Sequence, residues 1–236
     1  MKHKALLCLF TSLTASPLAI AQPAGVPAAG YPNKPIRIIV QFAPGGQGDV
    51  IARAVATKAS ETFRQTVVVD NRTGGGGTIA ADALVKSNPD GYTFIVASSS
   101  YAANSALYKR SFDPVNDVTP VVLIGDSGLI VTVHPAQPVN SVNDLIAHAK
   151  SHPGKLNYGS SGVGGTPHLA TELFNLMANT NMTHVPYKGN VLALNDLIGG
   201  QLQVLFGSVS NTLPQIRAGR LRGLAVTTRE RSPALP

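Results

Sequence analysis

From residue 36 onward the chain alternates short apolar runs with amphipathic stretches of helical period, and twice a run ends in a glycine-rich loop that leads straight into such a stretch. Few folds accept that alternation. Strands are expected at 36–42, 66–70 and 92–97, with helices at 49–63 and 78–86 between them. Because these strands are nearly continuous in apolar residues, they suit a parallel sheet covered on both faces. Asn88-Pro89-Asp90-Gly91 is a turn, proline fixing one dihedral and glycine permitting a positive one. After a less regular stretch, strands at 121–125 and 129–133 lead to a helix signed by Ser141 and Asp144 as a capping box, with Val142, Leu145, Ile146 and Ala149 on one face. Further strands at 156–158, 203–206 and 221–226 alternate with helices at 167–178, 191–198 and 211–218. The fold class is α/β, and no repeat of solenoid period is present.

The first 21 residues read as a secretory signal, with Lys2 and Lys4 at the start, an apolar middle, and Ala19-Ile20-Ala21 as the cleavage site. Residues 22–33 are a Pro-, Ala- and Gly-rich lead-in. Cys8, the single cysteine, lies inside the signal, so disulfide and thiol chemistry are not expected of the mature chain. At the other end, residues 232–236 follow the last strand with no covering helix, which leads us to expect that further chain completes the sheet.

Composition removes other classes. Of 236 residues 44% are hydrophobic and 13% charged, too apolar for charge-driven disorder. The net charge of +7, or +5 without Lys2 and Lys4, comes largely from five arginines after residue 216 with no aromatic among them. Nucleic-acid binding would need a basic stripe with interleaved aromatics, so no nucleic-acid partner is expected.

The chemistry is expected in the two loops. Phe42, Ala43, Pro44, Gly45, Gly46, Gln47, Gly48 and Asp49 form the first; the second runs from Tyr158 through Ser160, Ser161, Gly162, Gly164 and Thr166 to His168. Glycines let the backbone approach a ligand, and each following helix offers unpaired N–H groups and the positive end of its dipole. That is the pattern of an anion site. In the second loop Thr166 is the expected N-cap and Pro167 the first helical residue. Gly74 to Gly77, a third glycine run, either joins these loops or is a flexible connection.

Competing motifs fail. Ile51 stands where a dinucleotide fingerprint needs its last glycine, Gly154-Lys155 is followed by Leu156 rather than Ser or Thr, and Val163 breaks the nucleophile elbow around Ser161. His148 and His152 have helical spacing for a metal but lack a third ligand. His168 can bond loop backbone or ligand, or be structural. His134 and His184 read as packing residues, and Asp49 as a cap or dipole partner. Neither metal nor cofactor is expected, and binding is favoured over turnover.

Several stretches resemble one family closely: Tyr31-Pro32-Asn33-Lys34-Pro35-Ile36-Arg37, the Pro44-Gly45-Gly46 to Asp49 loop, Asp70-Asn71-Arg72, Pro89-Asp90-Gly91-Tyr92-Thr93, Pro153-Gly154-Lys155-Leu156-Asn157-Tyr158-Gly159-Ser160, His168-Leu169, His184-Val185-Pro186-Tyr187-Lys188-Gly189, and Arg231-Ser232-Pro233-Ala234-Leu235-Pro236. They are similar to the periplasmic substrate-binding proteins of tripartite tricarboxylate transporters, the Bug family. The resemblance implies two α/β domains that close like a Venus flytrap: 34–112 as the first, completed by further chain, 113–225 as the second, and 226–236 returning toward the first. It also implies a small carboxylate held by backbone amides, hydroxyls and waters. The chain departs from the family pattern at Ala43, Gly48, Gly165 and Gly207, where relatives carry Pro, Ser or Thr, Ser, and Asp or Asn, so a relative's ligand cannot be carried over.

The expected function is thus an exported, periplasmic receptor that binds an organic carboxylate and delivers it to membrane permease subunits. Residues 43–47 and 160–166 would donate hydrogen bonds, Ser98 and Ser99 would line the floor from the first domain, and Gly207 and Ser208 from the second. A ligand sensor feeding a signalling partner is the alternative; a hydrolase would need a catalytic group that is not evident.

Overall fold

The computed structural model describes residues 30–109 and 112–234. The expected signal and most of the lead-in lie outside the described residues. The first sheet has the order β2-β1-β3, built from β1 (Ile36–Val40), β2 (Val67–Asn71) and β3 (Thr93–Val96), and both pairings are parallel. Its connections are α1 (Gln47–Phe63), and a 3₁₀ turn at Gly75–Gly77 followed by α2 (Thr78–Val85). Ile36, Ile38, Ile39 and Val40 of the central strand are buried, and Ile38 and Val40 pack on Ala52 and Ala56 of α1. Burial on both faces holds for that strand alone: β2 and β3 lie at the edges and are half exposed.

The second sheet has the order β6-β5-β7-β4-β8, from β4 (Leu129–Val133), β5 (Asn157–Ser160), β6 (Thr183–Pro186), β7 (Val204–Ser208) and β8 (Arg222–Val226). β5 runs parallel to β6 and β7, while β4 is antiparallel to β7 and β8. All five residues of β4 and of β7 are buried, the mark of central strands. Helices α4 (Val142–Ser151), α5 (Thr166–Ala178), α6 (Asn190–Ile198) and α7 (Val209–Arg217) connect the strands. Tyr158, Leu145, Val139 and Val204 are among the fully buried residues of its largest core cluster, and Leu197, Leu202 and Leu205 anchor a second one. Both sheets belong to one compact unit beginning at Pro32.

At α4 the Ser141 hydroxyl accepts the Asp144 amide at 3.1 Å as expected, but the Asp144 carboxylate reaches back one residue further, to the Asn140 amide at 3.0 Å. Two other expectations are corrected. Residues 121–125 form no strand: a strand needs a neighbour to complete its ladder, none lies beside this run among the described residues, and Val121, Val122 and Leu123 are exposed. The stretch after residue 99, expected to be irregular, begins with helix α3 (Ser100–Leu107), which Ser100 enters fully buried with its hydroxyl 2.7 Å from that of Ser98.

Candidate functional site

The two glycine-rich loops face each other from the two sheets. The loop after β1 leads into α1, whose N-cap is Gly46; the loop after β5 leads into α5, whose N-cap is Gly165. Direct bonds join each loop to the opposite layer. The Ala43 amide donates to the Lys188 carbonyl at 3.2 Å, the Asn211 side-chain amide donates to the Gly45 carbonyl at 2.7 Å, and the Ser99 and Thr166 hydroxyls are 2.9 Å apart. The Gln47 side chain donates to the Ser127 hydroxyl at 2.7 Å.

These contacts bring the N-termini of α6 (N-cap Gly189) and α7 (N-cap Ser208) against the loop that opens α1, and that of α5 against Ser99 at the start of α3; none of α1, α5, α6 and α7 has a side-chain cap. The amides before the first intrahelical bond have no partner inside a helix, and all four dipoles present their positive ends. Arg53 is the only Arg or Lys side chain bonded to the loop residues among those described, and it is turned to Asp49 at 2.9 Å and Asn71 at 3.4 Å. Positive potential here is therefore carried by backbone.

The expected donors shift along the chain. Loop amides proposed to face a ligand already have internal partners: Gly45 donates to the Asp49 carboxylate at 2.9 Å, Gly46 to the Ala43 carbonyl at 3.3 Å, Gly162 to the Ser160 hydroxyl at 3.0 Å, and Gly164 to His168 Nδ1 at 3.3 Å. The loops brace themselves, so the available amides are those of the first helical turns, such as Gln47 and Gly48 in α1 and Thr166 in α5. Thr166 is the first helical residue rather than the N-cap, and its hydroxyl reaches Ser99 instead of its own helix.

Asp49 is a brace too. Its side chain is buried; burial pushes the carboxyl up, but hydrogen bonds from Arg53, the Gly45 amide and Asn71 outweigh it and hold the group below its ordinary value. Phe42 offers its carbonyl to the Asn71 side chain at 3.0 Å, and Pro44 is exposed at the loop's tip. Ser98 is tied within its own layer, its amide donating to Gln41 Oε1 at 2.8 Å, while the Gln41 amide donates to the Gly77 carbonyl at 3.3 Å. Gln41, 1% exposed, thus links the ends of β1 and β3 to the third glycine run.

That third run joins the site. A Cβ on Gly76 would lie 2.1 Å from the Val163 carbonyl, and one on Gly164 would lie 2.1 Å from Asn104 Oδ1. Backbones therefore meet where only glycine fits, and Asn104 of α3, fully buried, donates to the Gly76 carbonyl at 2.7 Å. In β7, a Cβ on Gly207 would lie 2.1 Å from the Thr212 hydroxyl, so Thr212 fills the space that a side chain would take. Ser208 donates to Asn211 Oδ1 at 3.0 Å, orienting the amide that reaches Gly45. Ser161 is buried behind Gly165.

Sequence reasoning missed Gln41, Asn104, His184 and Asn211. His184, expected to pack, has its Nε2 at 2.6 Å from the Ser160 hydroxyl. Serine and histidine so placed suggest a nucleophile and base, yet Ser160 is fully buried and its oxygen already accepts the Gly162 amide. A groove of about 840 Å³ elsewhere is lined by Ile130, Ile216 and residues 228–234, and no residue of the two loops lines it. Among the described residues no group of three His, Cys, Asp or Glu is placed to hold a metal, and no helix is long and apolar enough to cross a membrane.

The geometry has close relatives. Protein BugT of Bordetella pertussis is 38% identical over 219 residues, covering 90% of this chain and 67% of that protein. The structure described as Rhodopseudomonas palustris Rpa4515 with adipate superposes with a TM-score of 0.81 at 40% identity, covering 85% of this chain and 68% of that one. MatC (Rpa3494) of Rhodopseudomonas palustris with bound malate gives a TM-score of 0.81 at 28% identity, covering 86% and 70%. The chain spans 60% to 67% of the length of the curated relatives that match most of it. Its neighbours are periplasmic binding proteins, so the fold is of the Venus-flytrap type. The family described as the tripartite tricarboxylate transporter family receptor matches residues 51–236, and this chain belongs to that family.

Proposed function

We propose that the chain is part of an exported receptor that binds a small organic carboxylate between the two glycine-rich loops and passes it to membrane permease subunits. The observation that carries this reading is that helix N-termini with no side-chain cap meet where the two layers touch, those of α6 and α7 at the loop opening α1 and that of α5 at Ser99. Preset backbone donors suit a carboxylate because they need little reorganisation on binding. Relatives seen with adipate and malate have the same fold, which supports ligands of that class here. The ligand-binding set we propose joins first-turn amides of α1 and α5 to the hydroxyls of Ser99 and Thr166, with Ser208 and Asn211 across from Gly45.

Thermal unfolding of the mature chain against a panel of mono-, di- and tricarboxylates, followed with an extrinsic dye because the sequence has no Trp, tests this. A ligand at a hundred times its dissociation constant stabilises the folded state by about 2.7 kcal/mol. A selective rise with one class supports the receptor; a cooperative transition that no carboxylate moves would overturn it.

A further inference from the structure

Beneath the second glycine-rich loop lie two imidazoles in contact. The rings of His168, from the first turn of α5, and His184, from edge strand β6, have centroids 4.2 Å apart, and His184 is also stacked on Tyr158 of β5 at 4.9 Å. Each holds one part of the loop. His168 Nδ1 accepts the Gly164 amide at 3.3 Å, and His184 Nε2 is 2.6 Å from the Ser160 hydroxyl, whose oxygen in turn accepts the Gly162 amide at 3.0 Å. A nitrogen that accepts an N–H carries no proton, so the bond to Gly164 requires His168 in its neutral form with hydrogen on Nε2. Ser160 can donate to His184 only while His184 Nε2 is bare, but its hydroxyl also lies 3.3 Å from the Gly162 carbonyl, so the Gly162 tether persists when a protonated His184 donates to Ser160 instead.

We propose that neutral His168, with His184 packed against it, positions the second glycine-rich loop through the Gly164 amide, so that proton uptake by His168 releases Gly164 and loosens the loop. This rests on the receptor reading for its consequence, ligand release on acidification, but the positioning itself does not.

The surroundings favour the neutral pair. Two imidazolium rings in contact would repel each other. The titratable groups facing the pair are Tyr158, whose hydroxyl donates to Glu172, and the Glu172 carboxylate itself, which is exposed. Burial, then the neighbouring His168, push His184 down to about 4 against a weaker opposing pull from Glu172; burial likewise lowers His168, with Glu172 opposing. Gly162 and Gly164 have φ of +114° and +77°, a backbone path that no side chain at either position helps to hold.

The experiment follows amide and imidazole resonances of the ligand-free, isotopically labelled complete chain from about pH 7.5 to about pH 4.5, a window bracketing the ordinary histidine range. The Gly164 amide should titrate with the His168 ring, below the ordinary histidine value. His168→Asn, which keeps an acceptor near the Nδ1 place, should hold the loop and abolish that titration; the Gly162 amide, tied to Ser160 in either state of His184, should not follow it. A Gly164 amide that ignores the ring, or titrates alike in His168→Asn, overturns the proposal. Affinities for adipate and malate, measured over the same range, should fall at least about tenfold more steeply in the wild type than in His168→Asn; protonation of the ligand cancels in that comparison. If neither binds at any pH while the amide titration is intact, the receptor reading fails and the positioning role stands.

Discussion

The side-chain amide of Asn211 donates to the carbonyl oxygen of Gly45 at 2.7 Å, fastening the first turn of α7 to the loop that opens α1. The two residues belong to different sheets' layers, and the bond can form only when the layers are together. Asn211→Ala removes it. One such bond is worth about 0.5–1.5 kcal/mol, so the affinity for the best carboxylate should drop roughly 3- to 10-fold with the melting temperature of the free protein little changed. Calorimetric titration checks this, and unaltered affinity would deny the contact a part in closure.

Gly164→Ala should be far more damaging. The position has φ of +77°, and the new methyl would lie 2.1 Å from Asn104 Oδ1. Backbone strain alone costs about 1–3 kcal/mol, and the clash with buried Asn104 adds to it. Urea unfolding should show a lower midpoint, and binding should be lost. A variant as stable as wild type would mean that the third glycine run and α3 do not abut the second loop as described.

Gln41→Leu keeps the volume but leaves the Ser98 amide and the Gly77 carbonyl without their partner. Orphaning a buried polar group costs about 1–3 kcal/mol. Chemical denaturation should reveal a loss of at least that order, with ligand affinity falling as Ser98 and Ser99 lose their anchor. Wild-type stability would show that water replaces the glutamine without cost.

Stability should fall on acidification. His184 titrates near 4 when folded and at an ordinary histidine value of about 6.5 when unfolded. Between those values the unfolded chain takes up a proton that the folded chain refuses, so stability is full above about pH 6.5 and declines toward pH 4. His168, lowered by burial, acts in the same direction. Melting temperatures across this range should decline, and the slope should flatten in His184→Gln. An equally steep decline in that variant would place the acid sensitivity elsewhere, His168 being the next group to test.

Much of the architecture was legible because it is written in local pattern. The apolar run at β1, the helix start at Ser141 and the glycine loops before α1 and α5 each depend on neighbours a few residues away. What failed depends on partners far off. The run Val121 to Ile124 has a strand's composition yet lies where no described strand can pair with it, and composition does not announce that. Asn211 meets Gly45 across 166 positions, and Asn104 meets Gly76 across 28; no short window contains either pair. His184 left one clue, its place just before Val185 and Pro186 in a short apolar segment, and packing was the reasonable inference from it. The glycine loops signalled an anion site, but their spacing could not show that they consume their own amides.

Because the electropositive character of the proposed site resides in peptide groups, it does not depend on keeping any one charged side chain. In the receptor we propose, no single arginine or other side-chain charge carries the anchor for a carboxylate. Side chains around it, among them Gln47, Ser99 and Thr166, are then free to vary with the rest of the ligand. Such a division lets a lineage exchange one acid for another by changing a few surface residues, while the grip common to all acids is inherited with the fold.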